Sequence, residues 1–163
     1  MTTNSAPHPR TIVVGVDGSA SSVAALQLAA SLIPLAGDVI HAVSAWQHPF
    51  VLSPYTPMEW NYEEMSQKAL DQALVEAFPD GPPAGLESRT VQGSPAAILI
   101  EESKHASMVV VGSRGHGGFA GLLLGSVSSA VAERSACPVL VSHGAPQLAE
   151  GQPVALPSSD VTA

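Results

Sequence analysis

Gly112, Gly115, Gly125 and Ser126 have a spacing that could hold a phosphate: two residues separate the first pair and nine separate Gly115 from Gly125-Ser126. They lie in the run GSRGHGGFAGLLLGSVSS, from Gly112 to Ser129, which follows the apolar Met108-Val109-Val110-Val111. Glycines after a strand let the backbone approach a ligand closely, and a helix beginning near Ser126 would point free N–H groups at an anion. Arg114 sits inside the stretch with His116 two residues on, a placing that suits a small anion better than a polymer. The same residues read equally, at this level, as a glycine-rich surface loop.

Other chemistries find little support. The pattern G-x-x-x-x-G-K-[ST] is absent, and the Gly112–Ser129 stretch contains no lysine. Gly115-His116-Gly117-Gly118-Phe119-Ala120 fits G-x-G-x-x-A, but it follows the fourth strand instead of the first, with Glu133 and Glu150 poorly placed for a ribose. There is no H-E-x-x-H and no C-x-x-C, and Ser19 is not set in G-x-S-x-G. Of the histidines, only His116 is near the glycine stretch; His8, His41, His48, His105 and His143 are scattered. Cys137, the sole cysteine, precedes Pro138 and an apolar run and reads as a small packed residue. No catalytic residue is assigned.

Composition narrows the partners. A net charge of −8, with Arg10, Lys68, Arg89, Lys104, Arg114 and Arg134 dispersed, gives no footprint for nucleic acid. A single cysteine fits a reducing compartment. The N-terminus lacks the apolar core of a secretory signal, and no apolar run approaches a membrane span. The expectation is one cytoplasmic domain with no membrane partner: a disordered lead-in over 1–9, a folded unit over 10–143, and a flexible tail rich in proline, glycine and serine over 144–163.

The elements that must position the glycine stretch can be read in order. Thr11 to Val16 is a β-branched run, as in a strand buried on both faces. Asp17-Gly18-Ser19 breaks it, and Ser19 or Ser21 can cap a helix carrying Val23, Leu26, Ala29, Ala30 and Ile33. Asp38–Ala45 predicts a second strand, followed by a long proline-bearing loop over 46–57. Thr56-Pro57-Met58-Glu59 predicts a helix start, with Tyr62, Met65, Ala69, Ala73 and Ala77 on one face. Leu86–Val91 predicts a third strand, whose Glu87, Ser88 and Arg89 suit an edge. Ser94-Pro95 starts a helix running to about Lys104, Met108–Val111 is the fourth strand, and Ser126 opens a helix to about Ala136. Pro138–Val141 is the fifth strand.

Strands alternating with helices, and no hairpin signal, demand a parallel sheet with helices on both faces. In such a sheet ligands bind where the strand order reverses, at the carboxyl ends. With order 3-2-1-4-5, the loops flanking that crevice are Asp17-Gly18-Ser19 and Gly112–Gly118. This coincidence favours the phosphate cradle over the bare loop.

The pattern G-x2-G-x9-G-[ST], filled by Gly112, Gly115, Gly125 and Ser126, resembles the ATP-binding signature of the universal stress protein family. Ile12 to Ser19 is similar to that family's first strand and turn, and Cys137 to Val141 to its last strand. The resemblance covers about residues 10–143. It implies a three-layer α/β fold, Rossmann-like in the manner of the adenine nucleotide alpha hydrolases, with a five-stranded parallel sheet of order 3-2-1-4-5. It implies an ATP-binding protein of the stress response, in which backbone N–H groups around Gly112, Gly115, Gly125, Ser126 and Val127 hold phosphates. Hydroxyls of Ser126 and Ser128 would add hydrogen bonds. Asp17, with Gly18 and Ser19 beside it, would lie near the nucleotide and any magnesium bound to it. Val16, Ala45 and Val111 would line the adenine pocket, and Arg114 would compensate phosphate charge. Ser107 departs from the aspartate usual before strand four. The resemblance also implies a homodimer in which fifth strands pair. Two alternatives stay open: an interaction module of the same fold that binds no nucleotide, and a slow ATPase.

Overall fold

The computed structural model describes residues 9–33, 37–48, 61–115 and 123–144. Its elements are β1 (Thr11–Gly15), α1 (Ala20–Ser31), β2 (Val39–Trp46), α2 (Tyr62–Ala77), β3 (Leu86–Gln92), α3 (Pro95–Glu102), β4 (Met108–Gly112), α4 (Ser126–Arg134) and β5 (Val139–Ser142). The strands form one parallel sheet of order β3-β2-β1-β4-β5, as expected.

The continuous apolar runs have a direct cause. Ile12 and Val14 of β1 pack into a core with Val23, Leu26 and Ala29 of α1 and Leu70 and Ala73 of α2. Val13, between them, faces a second core with Leu99 of α3 and Val131 of α4. Both faces of the central strands are covered, so alternation with polar residues is lost. The two margins differ. Glu87, Ser88 and Arg89 of β3 are exposed, and Arg89 pairs with Glu102 at 2.6 Å. β5 carries Val139, Leu140 and Val141, all partly exposed. The Val109 N–H donates to Pro138 O and the Ser113 N–H to Ser142 O, so the alternate residues Val139 and Val141 turn their backbone groups outward.

Several boundaries move. α2 begins at Tyr62, capped by Asn61, whose side chain accepts from the Glu64 N–H at 3.1 Å. The capping signal at Thr56–Glu59 lies outside the described residues, as do the lead-in through residue 8, the loop over 49–57 and the tail from 145. The buried face of α2 is Leu70, Ala73 and Ala77, while Met65, expected on it, is 49% exposed. Asp38 does not start β2. Its carboxylate accepts the Arg10 N–H at 2.7 Å and the Arg10 Nε and Nη2 at 3.0 and 2.7 Å. Arg10 Nη2 also donates to Leu32 O at the end of α1, so one buried carboxylate ties together the entries to β1 and β2. These bonds to Arg10, the backbone N–H first and the guanidinium next, hold the Asp38 carboxyl below its ordinary range.

Candidate functional site

β1 and β4 are neighbours, so the chain leaves the sheet's centre in opposite directions after them and a crevice opens at their carboxyl ends. A cavity of about 500 Å³ fills it, within the usual range for small-molecule sites. Every residue expected at the site lines this cavity except Gly18. Gly18 instead has φ +83°, a turn conformation that lets the backbone reverse after Asp17.

One end of the cavity is apolar. Val16 of the β1 turn, Ala45 of β2 and Val111 of β4 meet there, as expected, and Val43 joins them. Sequence reasoning missed the opposite wall, Pro95, Ile98 and Leu99 of α3. The Ser94-Pro95 start identified the helix but not the space it borders. Gly15 and Ser22 were also missed; a Cβ on Gly15 would stand 2.7 Å from Leu99 Cδ1, so the glycine admits that leucine.

The other end is polar and is built from backbone. The first helical bond of α4 runs from the Ser129 N–H to Gly125 O at 2.9 Å. The N–H groups of Ser126, Val127 and Ser128 therefore have no acceptor within the helix, and Gly125 at the cap has no side chain to supply one. These residues line the cavity together with Arg114 and Gly115. α1 is the contrast: the Ser19 side chain caps it, accepting from the Ser22 N–H at 3.3 Å.

One hydroxyl expected on phosphate has another duty. Ser128, 4% exposed, donates to Gly112 O at 2.5 Å and so pins the start of α4 to the end of β4. A hydroxyl has one proton, so Ser128 cannot also donate to a phosphate while this bond stands. Ser19 Oγ likewise donates to Asp17 Oδ1 at 2.5 Å, and the Ser19 N–H to the same oxygen at 2.9 Å. Ser126 is exposed, and its hydroxyl has no hydrogen bond to another described residue.

The three glycines have different reasons to be glycine. A Cβ on Gly112 would lie 2.8 Å from the backbone carbon of Ser21, so α1 packs on bare backbone there. One on Gly115 would meet Asp17 Oδ2 at 2.5 Å. One on Gly125 would find only ordinary contacts at 3.6 Å, and its backbone, φ −71° and ψ 168°, suits any residue. The Arg114 carbonyl accepts from the Ser21 hydroxyl, with Ser19 Oγ 3.3 Å from the same oxygen, which ties the β4 loop to the start of α1.

Among the described residues no histidine lines the cavity, and no group of three histidines, cysteines or carboxylates is placed to hold a metal ion. His116, with the rest of 116–122, lies outside them. Cys137 packs against the second core, and burial pushes its thiol up, the opposite of an activated nucleophile. No described helix is long and apolar enough to cross a membrane.

Comparison with known proteins gives consistent matches. The sequence model of the universal stress protein family matches residues 8–143. A universal stress protein of Mycolicibacterium smegmatis is 37% identical over 133 residues, which are 80% of this chain and 44% of that protein. One from Mycobacterium tuberculosis is 34% identical over 140 residues, 84% of this chain and 47% of that protein. The chain thus spans about half the length of these relatives. Among solved structures, a universal stress protein in complex with cAMP superposes with a TM-score of 0.61 at 29% identity, covering 82% of this chain and 97% of the other.

Proposed function

The chain belongs to the universal stress protein family, and from that membership we propose that it is an ATP-binding regulatory protein of the stress response. The observation that carries this reading is the start of α4, whose N–H groups have no acceptor among the described residues and border the cavity, away from its apolar end. That polarity suits a molecule with phosphates at one end and a flat heterocycle at the other. Phosphates would lie against the backbone of Gly112, Gly115, Gly125, Ser126 and Val127, with the Ser126 hydroxyl and Arg114 beside them. Adenine would lie among Val16, Ala45 and Val111, against the α3 wall. Asp17 would hold a magnesium ion carried by the phosphates, which would offset their charge.

The activity proposed is holding ATP, with its occupancy altering assembly or partners. Sheet-edge chemistry supports assembly as a homodimer through β5, whose outward backbone groups carry no flanking charge. The single cysteine supports work in a reducing compartment, the cytoplasm. Calorimetric titration with ATP tests the reading: wild type should release heat with one site per chain, and Gly115→Val should not. Absence of heat in the wild type would leave the interaction module that binds no nucleotide. A slow ATPase requires product formation that disappears in Asp17→Ala.

A second reading is favoured by one observation. The relative solved with cAMP is 29% identical to this chain, which supports a cyclic adenine nucleotide as occupant. Competition separates the two: ATP should displace labelled cAMP, and the reverse order of affinity would replace ATP as the ligand.

A further inference from the structure

The apolar end of the cavity rests directly on the second core. Val43, Leu99 and Val111 belong to both: they pack with Val13, Val109 and Val131 in that core, and they line the cavity. Leu99 is the buried residue of α3, 4% exposed. It stands over Gly15, the last residue of β1, where only backbone lies beneath it. A Cβ on Gly15 would meet Leu99 Cδ1 at 2.7 Å and Cδ2 at 3.5 Å, with Val111 Cγ1 at 3.4 Å.

Leu99 is therefore the floor of this end, braced by β1 and β4 from below. A branched side chain packed so closely has nowhere to retreat, and a ligand must fit the space it leaves. Ile98, the next wall residue, is braced in the same way, because a Cβ on Gly93 would stand 3.3 Å from its Cδ1. The side chains here, Val16, Val43, Ala45, Ile98, Leu99 and Val111, are all aliphatic. They choose among ligands by size and shape, and in an apolar pocket one methylene changes preference by about 10–200-fold.

We propose that Leu99 is a specificity-determining residue: it sets the depth of the base end, so that plain adenine enters and adenine with a ring-sized group on its inward edge is refused. The inference rests on the nucleotide-binding reading and adds the residue that limits the ligand. Calorimetry with ATP and with three analogues, carrying phenyl at C2, phenyl at C8 or benzyl at N6, samples every edge of the base. Wild type should bind at least one analogue about tenfold or more weakly than ATP. Leu99→Ala should improve that analogue by about tenfold relative to ATP, and the milder Leu99→Val should do so to a smaller degree. A merely structural role would weaken all four ligands alike and leave the ratio unmoved. Gly15→Ala tests the floor from beneath, since its methyl group displaces Leu99 toward the ligand. ATP affinity should fall by about tenfold, and adding Leu99→Ala should recover it. Wild type that binds every analogue like ATP, a ratio unmoved in both Leu99 variants, or full ATP affinity in Gly15→Ala would overturn the role of Leu99 and leave the ATP reading intact. Failure of wild type to bind ATP or any analogue would overturn both.

Discussion

Gly112 and Gly125 look alike in the sequence and differ in what surrounds them, so substitution separates packing from ligand binding. Gly112→Ala drives a methyl group into the backbone of Ser21, and overpacking of this kind costs about 1–3 kcal/mol. Urea denaturation should show that loss. Gly125→Ser should do the reverse. Serine is a favoured helix cap, so stability should hold or rise by about a few tenths of a kcal/mol. Its hydroxyl, however, would take up the α4 N–H groups that face the cavity, and ATP affinity should fall by at least about tenfold. Unchanged affinity in Gly125→Ser would remove α4 from the phosphate site. At this scale the sequence disclosed residue types but not bond directions. That Ser19 and Ser128 carry hydroxyls was plain; that Asp17 and the Gly112 carbonyl claim their protons depends on where the chain brings distant residues.

Elements were legible where local pattern decides them. The apolar runs of β1 and β4 and the Ser94-Pro95 start of α3 stand where the pattern put them. What was missed is relational: Ile98 and Leu99 face a cavity because α3 crosses the strand ends, and α2 starts at Asn61 because that residue makes the cap bond. Asp38, read as strand, is a tie. Its lowered pKa means that its contribution to stability is present above the ordinary carboxylate range and is lost as pH falls through the folded value. Asp38→Asn should therefore melt below wild type at neutral pH, with the gap closing on acidification. A gap independent of pH would show that the charge of Asp38 is not what stabilises. For β5, Val141→Pro removes an N–H that faces away from β4, a change tolerated on an edge strand. Sedimentation should find this variant monomeric if fifth strands pair, with circular dichroism unchanged; a persisting dimer would move the interface elsewhere.

For the whole molecule, the proposed binding at the junction of β1, β2, β4, α3 and α4 would link the ligand to nearly every layer of the fold. A ligand that binds only the folded state at a hundred times its Kd adds about 2.7 kcal/mol, which for a chain of this size raises the melting temperature by about 5–10 °C. Thermal scans with and without ATP check this, and coincident curves would argue against the site. The architecture itself was the most legible level, since alternating strands and helices leave few ways to build a parallel sheet. The sheet's margins carry a consequence of their own. The β3 side is studded with charge, and the β5 side is plain. If fifth strands pair as proposed, a body with one adhesive side would join one copy of itself and then have nothing left to offer, so growth would stop at two instead of running on into fibres. Crowding the protein to high concentration should then saturate a small assembly without clouding the solution.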